Sequence, residues 1–297
     1  MSIDSTYRAN PLLKREGIKI EFTQYQIEEY IKCAQDPVYF IQNYVKVVHV
    51  DKGVIPFGMW DFQKDMVRTF HENRFSIVKC PRQVGKTVSS VSYILWMSLF
   101  NADQNIAILA NKGDLAREIL DRYQLAYENL PMWLQQGVRV WNKGSVELEN
   151  GSKVLASATS SNAIRGGSFT CVFLDEFAFV PSNIAETFFT SVYPVISSGK
   201  STKMIIVSTP NGMNLFYKMW TDSMAGRSEY KNFSIHWSMV PGRDEKFKEQ
   251  TIKNTSLRQW NQEFECVDGQ TVIELYDKKT KEYFQIPIED FYEDFLI

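Results

Sequence analysis

Apolar residues recur at helical spacing along the first part of the chain. Between residues 61 and 73 they stand at positions i, i+4, i+5 and i+8, which places them on one face of an α-helix. These residues are Phe62, Met66, Val67 and Phe70. Apolar positions between Thr23 and Val48 also predict helices, whereas residues 51–58 predict a loop. Residues 1–58 are therefore predicted to form a helical N-terminal lead-in, loose and polar at its start.

From residue 75 onward, short apolar runs alternate with amphipathic segments. The runs predict strands at residues 75–80, 105–109, 145–148, 153–156, 170–174 and 203–208. The segments between them predict helices at residues 86–100, 114–129 and 184–189. Strands that alternate with helices are typical of an α/β fold whose mostly parallel sheet is flanked by helices. Residues 59–265 are predicted to form this domain.

The composition limits the classes of protein to which the chain can belong. Its 297 residues carry a formal net charge of -2, so any contact with nucleic acid must come from local patches. The four cysteines are scattered without Cys-x-x-Cys spacing, which argues against a zinc site or a disulfide framework and fits a reducing cytoplasm. The sequence contains no apolar stretch long enough to span a membrane and no apolar signal core at its N-terminus.

A candidate phosphate-binding loop, Cys80-Pro-Arg-Gln-Val-Gly-Lys-Thr87, lies between a predicted strand and a predicted helix. In that position backbone N–H groups can cradle a phosphate, and the helix N-terminus adds its positive end. Lys86 would reach the β- and γ-phosphates, and the Thr87 hydroxyl would bind Mg²⁺. Cys80 departs from the general pattern, which has glycine there. The alternative interpretation is a surface turn before a helix, but the placement after an apolar strand favours the phosphate loop.

Two further predicted strands end in polar residues. The strand that begins near Cys171 ends at Asp175 and Glu176, so Asp175 can hold Mg²⁺ and Glu176 can act as general base toward a water. An isolated Asp-Glu pair would be interpreted as the solvated start of a loop, but the phosphate loop upstream favours the catalytic interpretation. The other strand ends at Ser208 and Thr209, which either sense the γ-phosphate or cap a loop.

Together these residues resemble the large terminase subunit of tailed phages over about residues 60–264. The phosphate loop of that family commonly reads Arg-Gln-x-Gly-Lys-Thr, as Arg82 to Thr87 does here, so a missing leading glycine is expected. Further similar segments lie at residues 141–151, 163–166, 195–199 and 208–220. The resemblance implies a P-loop NTPase fold of the RecA-like class and an ATP-hydrolysing motor for DNA packaging.

The resemblance also implies a role for each candidate residue. Gln63 matches the glutamine that contacts adenine, and Arg82 matches the arginine that senses or stabilises phosphate. The nucleotide-binding set is Gln63, Arg82, Gln83, Val84, Gly85, Lys86, Thr87, Ser208 and Thr209. The catalytic residues are Glu176, Arg82 and Lys86, and the metal ligands are Thr87 and Asp175. Arg165 lies in a loop that could place it near a γ-phosphate, in cis or from a neighbouring subunit, or it is a structural or DNA-facing arginine.

The implied cofactors are ATP and Mg²⁺. The implied partners are double-stranded DNA, the portal, the small terminase subunit and further copies in a homo-oligomeric ring, without a membrane, in the host cell cytoplasm. The nuclease half of the family is not expected in this chain. A helicase-like translocase is the alternative enzyme, but it needs a second RecA-like domain, for which the chain has no room. Intact Lys86, Thr87, Asp175 and Glu176 argue against a non-enzymatic module with a decayed loop.

The last segment, residues 266–297, resembles the start of an intein. Cys266 leads it, a predicted hairpin follows, and the sequence then reads Ile-Glu-Asp-Phe-Tyr up to Tyr292. Cys266 would attack the carbonyl of Glu265 in an N-to-S acyl shift, as a thiolate can. The segment is interpreted as a short β-rich N-terminal split-intein fragment whose partner is a complementary C-terminal intein–nuclease chain. An ordinary buried thiol in a linker and a contiguous intein cut short remain alternatives.

Overall fold

The computed structural model describes residues 5–160, 167–197, 199–266, 272–277, 280–287 and 290. The helices are α1 Gln24–Gln35, α2 Pro37–Tyr44, α3 Asp61–Glu72, α4 Lys86–Phe100, α5 Gly113–Glu128, α6 Ser182–Ser197, α7 Leu215–Met224, α8 Glu245–Asn254 and α9 Leu257–Trp260. The strands are β1 Lys46–His49, β2 Gly53–Pro56, β3 Phe75–Lys79, β4 Asn105–Ala110, β5 Val138–Trp141, β6 Ser145–Leu148, β7 Lys153–Ala158, β8 Cys171–Asp175, β9 Lys203–Ser208, β10 Lys231–Ser234, β11 Val272–Tyr276 and β12 Tyr283–Pro287. A π-helical turn, Asn261–Glu265, follows α9.

A single sheet joins eight of these strands in the order β10-β3-β9-β8-β4-β7-β6-β5. Neighbouring strands from β10 to β7 pair in parallel, whereas β6 and β5 pair antiparallel. The α/β fold with a mostly parallel sheet is therefore confirmed. β9 lies between β3, which leads into the candidate phosphate loop, and β8, which ends at Asp175. The carboxyl ends of these three strands meet at one edge, where open α/β sheets bind their ligands.

The central strands are mostly apolar because both faces of the sheet are covered. Along β8, Cys171 and Phe173 join the core on the side of α3, α4 and α5, whereas Val172 and Leu174 join the core on the side of α6 and α7. Successive side chains of a strand point to opposite faces, so a strand buried on both sides has no polar alternation. This burial fixes the register of β8 and, with it, the position of Asp175.

Helix α4 is buried along most of its length despite its serines. Ser89, Ser90 and Ser92 are almost inaccessible to solvent. Their hydroxyls donate to the carbonyl oxygens four residues earlier, at distances of 2.8–3.1 Å. Each buried hydroxyl is thus satisfied within the helix. The helix can therefore pack between the sheet and the N-terminal helices while it presents its first turn to the phosphate loop.

The N-terminal region differs in part from the expectation. Leu13 and Phe40 belong to the same core as the central sheet, and Trp96 on α4 donates from its indole nitrogen to the carbonyl oxygen of Cys33 at 2.8 Å. The helices α1 and α2 are confirmed, but the expected loop at residues 51–58 contains β2, which pairs with β1. The lead-in is therefore packed against the core at Leu13 and along α1 and α2, whereas residues 15–28 are mostly exposed.

Several elements were not predicted from the sequence. They are β1, β2, β5, β10, α7, α8 and α9. Helix α6 is also longer than the predicted segment 184–189, since it runs to Ser197 through Pro194. A hairpin of β11 and β12 follows Cys266, as the sequence predicted. No helix in the described part of the chain is long and apolar enough to cross a membrane.

Candidate active site

The phosphate loop connects β3 to α4 and turns through left-handed backbone at two residues. Gln83 has a φ of 58° and Gly85 a φ of 71°. A Cβ at Gly85 would lie 2.5 Å from Nε2 of Gln63, so only glycine fits without a shift. Cys80 does not lie in the left-handed region; its N–H donates to the carbonyl oxygen of Ser208 at 3.2 Å, and its side chain is fully buried. A glycine is therefore not required at position 80.

Gln63 is buried beneath this loop and supports it. Its Nε2 donates to the carbonyl oxygen of Val84 at 2.9 Å, while its Oε1 accepts from the N–H of Trp60 at 2.9 Å. Both ends of the amide are thus engaged with backbone. The expected contact with adenine stays a prediction, since the amide would have to exchange one of these bonds for a base.

Lys86 lies at the N-terminus of α4, and its ammonium group reaches the end of two neighbouring strands. Nζ is 2.7 Å from Oε1 of Glu176 and donates to Oγ1 of Thr209 at 2.8 Å. The side chain of Lys86 is buried, with 8% exposed. The ammonium group is therefore held by a carboxylate at the place from which it would have to reach a phosphate.

Glu176 follows β8 in strained backbone. Its φ of 51° and ψ of 43° are left-handed, which is costly for a residue with a side chain. Its Oε2 accepts from the N–H of Thr209 at 3.1 Å and lies 3.4 Å from the hydroxyl of Ser208. The end of β9 thus holds one oxygen of the carboxylate, and Lys86 holds the other.

Asp175 and Thr87 form the second pair that the sequence predicted. The Thr87 hydroxyl donates to Oδ2 of Asp175 at 3.0 Å, whereas Oδ1 is buried without a hydrogen-bond partner. Burial raises the pKa of Asp175 from 3.8 to about 6; the charge of Glu176 also raises it, and Lys86 and Thr87 oppose the shift. A buried carboxylate oxygen without a partner calls for an explanation. One carboxylate and one hydroxyl are the oxygen ligands with which proteins hold Mg²⁺ beside nucleotide phosphates, so the residues fit this ion.

The phosphate loop is also held from the C-terminal side. The guanidinium of Arg82 pairs with the carboxylate of Glu263. The backbone N–H of Arg82 donates to the backbone carbonyl oxygen of Glu263 at 2.9 Å. The guanidinium of Arg243 donates to the carbonyl oxygens of Arg82 and Gln83 at 3.3 and 3.0 Å. It also stacks over Phe247. We call residues 243–265 the clamp segment, because it contacts the loop through both side chains and backbone.

Cys266 follows the clamp segment and is buried in this structure. Only 5% of the residue is exposed, and its φ of 51° is left-handed. Burial raises the pKa of the Cys266 thiol to about 12, against the opposing charges of Lys79 and Lys86. A thiol with a raised pKa is protonated at neutral pH and is a poor nucleophile. The thiol would have to become accessible before it could attack the Glu265 carbonyl.

Some residues of the cleft were missed by sequence reasoning. The phosphate loop and Glu176 line one cleft. Four further residues contribute to its lining: Asn111 in the β4–α5 connection, Leu115 and Arg122 on α5, and Phe179. Asn111 directly follows β4, so its place after a parallel strand was a usable signal. Arg122 gave no signal, because it lies on a solvent-facing part of α5. Arg165 lies outside the described residues.

Comparisons with known proteins identify a family and a fold. A family model described as terminase large subunit, T4likevirus-type, N-terminal, matches residues 77–286. This match extends beyond Cys266, near which the sequence analysis placed the end of the resemblance. The matched segment is well over half of the chain.

Solved structures share the fold at low sequence identity. The large terminase of bacteriophage HK97 superposes with a TM-score of 0.66 and 16% identity over 83% of this chain and 57% of that one. A point variant of the ATPase domain of the Thermus phage P74-26 large terminase gives 0.59 and 16% over 71% and 95%. The large terminase of a thermophilic bacteriophage in complex with ADP gives 0.55 and 14% over 70% and 53%.

The covered fractions of the solved proteins show how much of a large terminase this chain spans. It spans nearly all of the isolated ATPase domain but only slightly more than half of the HK97 and the ADP-bound proteins. The fold, the family match and the phosphate-loop cleft all favour a terminase over the alternative of a helicase. The chain belongs to the terminase large subunit family, T4likevirus type, and matches the N-terminal part of that family.

Proposed function

We propose that this chain hydrolyses ATP as the motor part of a viral DNA-packaging terminase large subunit. The observation that carries the proposal is the convergence of Lys86, Glu176 and the Thr87–Asp175 pair in one cleft at the carboxyl edge of the sheet. A related large terminase has been solved with ADP and also with ATP-γ-S. The proposed substrate is therefore ATP.

In the proposed reaction Lys86 exchanges Glu176 for the nucleotide phosphates. The exchange frees Oε1 of Glu176, while Oε2 keeps the N–H of Thr209. The free oxygen can then accept a proton from the attacking water as general base. Thr87 and Asp175 would hold Mg²⁺, which when bound supplies positive charge to the phosphate oxygens.

The clamp segment offers a route from hydrolysis to movement. Arg82 is paired with Glu263 and also lines the cleft, so a phosphate competes with Glu263 for its guanidinium. Thr209 touches both Lys86 and Glu176 at the end of β9. We therefore assign phosphate sensing to Arg82, Ser208 and Thr209, with the clamp segment as the part that responds.

The proposed partners follow from the packaging function. They are double-stranded DNA, the portal, the small terminase subunit and further copies of the chain in a ring, acting in the host cell cytoplasm. DNA cleavage is assigned to a separate nuclease part.

Nucleotide binding through Lys86 is the direct test of the ATPase proposal. Lys86→Met removes the ammonium group from the cleft, so we expect the affinity for a fluorescent ATP analogue to fall about tenfold or more, the size of one charge-assisted contact. Lys218→Met, at an exposed lysine of α7 outside the cleft and the clamp segment, is the matched control and should bind like the parent chain. Equal affinity in the Lys86 variant would refute the assignment of the cleft.

We propose further that protein trans-splicing through Cys266 joins this chain to its nuclease part. The support is the intein-like sequence from Cys266 onward and the hairpin of β11 and β12 behind it. In the first step the Cys266 sulfur bonds to the Glu265 carbonyl carbon, the peptide C–N bond breaks, and the amine takes up the thiol proton. A nucleophile on the partner chain then bonds to the same carbonyl carbon, and the thioester C–S bond breaks to release the Cys266 thiol. Because the thiol is buried with a raised pKa, the proposal requires that the partner fragment expose it.

Splicing has a direct readout on a gel. Mixed with a complementary C-terminal intein–nuclease chain, this chain should give a longer ligated product, and Cys266→Ala should give none. Cys171→Ala, at a buried thiol in β8, is the control and should ligate normally. Ligation that survives in the Cys266 variant would eliminate the splicing proposal without affecting the ATPase proposal.

A further inference from the structure

Asn111 has a buried oxygen that the proposed mechanism does not yet use. The residue directly follows β4 and lines the cleft together with Lys86 and Glu176. Its Oδ1 is buried and accepts no hydrogen bond. Buried acceptors without a donor are rare in native proteins and are found where a water, an ion or a reacting group completes the site. The oxygen therefore lies in the wall of the cleft without a donor, and the amide must rotate about χ2 to turn it toward a water in the cleft.

The general base leaves one hydrogen of the attacking water unassigned. Once Lys86 binds phosphate, Oε1 of Glu176 is free, and Oε2 remains bonded to the N–H of Thr209. A water that directs a lone pair at the γ-phosphorus has two hydrogens pointing away from it. Glu176 can accept only one of them in the productive orientation. A second acceptor in the same cleft would fix the rotation of the water about the first hydrogen bond.

We infer that Asn111 is a positioning residue whose Oδ1 accepts the second hydrogen of the attacking water. This inference rests on the proposed ATPase function. In the step, the water oxygen bonds to the γ-phosphorus, and one proton passes to Glu176. The bond between the γ-phosphorus and the β,γ-bridging oxygen breaks, and its electron pair leaves with ADP. Asn111 neither gains nor loses a proton.

The competing explanation is that Asn111 only fills space. The substitution Asn111→Leu distinguishes this explanation from a role in positioning the water. Leucine has the same branching and number of side-chain heavy atoms as asparagine, with two methyl groups in place of Oδ1 and Nδ2, so it is bulkier and carries no polar atom. Removing a buried acceptor that has no donor is neutral or favourable for folding. If Asn111 fills space, Asn111→Leu should keep both its turnover and its melting temperature.

The experiment measures kcat, KM and melting temperature for the parent chain, Asn111→Leu, Asn111→Ala and Asn43→Leu. For both Asn111 variants we expect kcat to fall 10- to 100-fold, with KM within twofold of the parent. The melting temperature of Asn111→Leu should be equal to or above that of the parent. Asn43→Leu makes the same change at an exposed asparagine of α2, outside the cleft, and should keep kcat within twofold.

The outcomes separate this inference from the function on which it rests. If the parent and Asn43→Leu hydrolyse ATP and both Asn111 variants do so within twofold of the parent, the inference is wrong and the ATPase proposal stands. A fall in kcat that comes with an equal loss of nucleotide affinity and a lower melting temperature also overturns it. If the parent itself does not hydrolyse ATP, the proposed function fails, and this inference fails with it.

Discussion

Glu176→Gln is expected to lower the turnover of bound ATP by about 10³-fold, within the range that general-base catalysis contributes. Glutamine has the shape of glutamate but cannot take a proton from water. Its side-chain oxygen can still accept from the N–H of Thr209, so the position of the side chain is kept. The loss should therefore lie in kcat and not in folding.

Nucleotide binding should survive this change and even become tighter. In the structure Lys86 is paired with Glu176 at 2.7 Å, and a phosphate must displace that carboxylate. Glutamine offers no charge to compete with the phosphate, so less free energy is needed to release the ammonium group. The strained backbone at residue 176 is unaffected, because it belongs to the turn after β8 rather than to the carboxylate.

Single-turnover release of phosphate and binding of a fluorescent nucleotide separate these two effects. Glu186→Gln, at an exposed glutamate of α6, is the matched control and should behave like the parent chain. Turnover of Glu176→Gln within tenfold of the parent would remove Glu176 from the role of base. Weaker binding would instead show that the pair with Lys86 organises the nucleotide site.

The sequence predicted the elements whose signals are local. Helix α4 and strand β9 have the predicted limits, and β8 is shifted by one residue. All three have long runs of buried apolar residues, and β8 and β9 are buried on both faces of the sheet. By contrast, β10 is half-exposed and has no apolar run of its own. It is a strand because it pairs with β3 along the edge of the sheet, which no local pattern reveals.

The residues of the candidate site that lie at the ends of predicted helices and strands could be predicted from the sequence. Lys86 and Thr87 begin a helix, and Asp175 ends a strand, so their meeting at one edge followed from the parallel sheet. The contacts of Arg82 could not be predicted in this way. Its partners on the clamp segment come from the far end of the domain; Arg243 is 161 residues away. Such contacts depend on the tertiary fold, and no sequence spacing encodes them.

Gln63 illustrates how the resemblance and the geometry supply different information. The resemblance implied a contact with adenine, whereas the structure engages both ends of the amide with backbone of the loop and of Trp60. Gln63 can fill both roles only one after the other, because adenine would have to displace one of these two hydrogen bonds to backbone. The role in supporting the loop explains why position 85 is glycine, since a Cβ there would collide with the Gln63 amide.

Asp175→Asn is expected to stabilise the nucleotide-free protein at neutral pH and to abolish its stabilisation by Mg²⁺ and ATP. Burial raises the pKa of Asp175 to about 6 from 3.8, so the folded protein favours the protonated carboxyl. The stability that this group contributes is fully present below pH 3.8 and is lost as the pH rises through 6. A shift of roughly two pKa units corresponds to about 3 kcal/mol at neutral pH. Asparagine keeps an acceptor for the Thr87 hydroxyl and does not titrate.

The test is the difference in melting temperature between Asp175→Asn and the parent as a function of pH. Without nucleotide it should be close to zero near pH 4 and grow to several degrees in favour of the variant by pH 7.5. With Mg²⁺ and ATP the sign should reverse at pH 7.5, because the ion binds the ionised carboxylate and stabilises only the parent. Asp121→Asn, at an exposed aspartate of α5, should show neither effect. A difference that stays flat from pH 4 to 7.5 would show that Asp175 ionises in the fold without cost, and a sign that does not reverse would exclude it as a metal ligand.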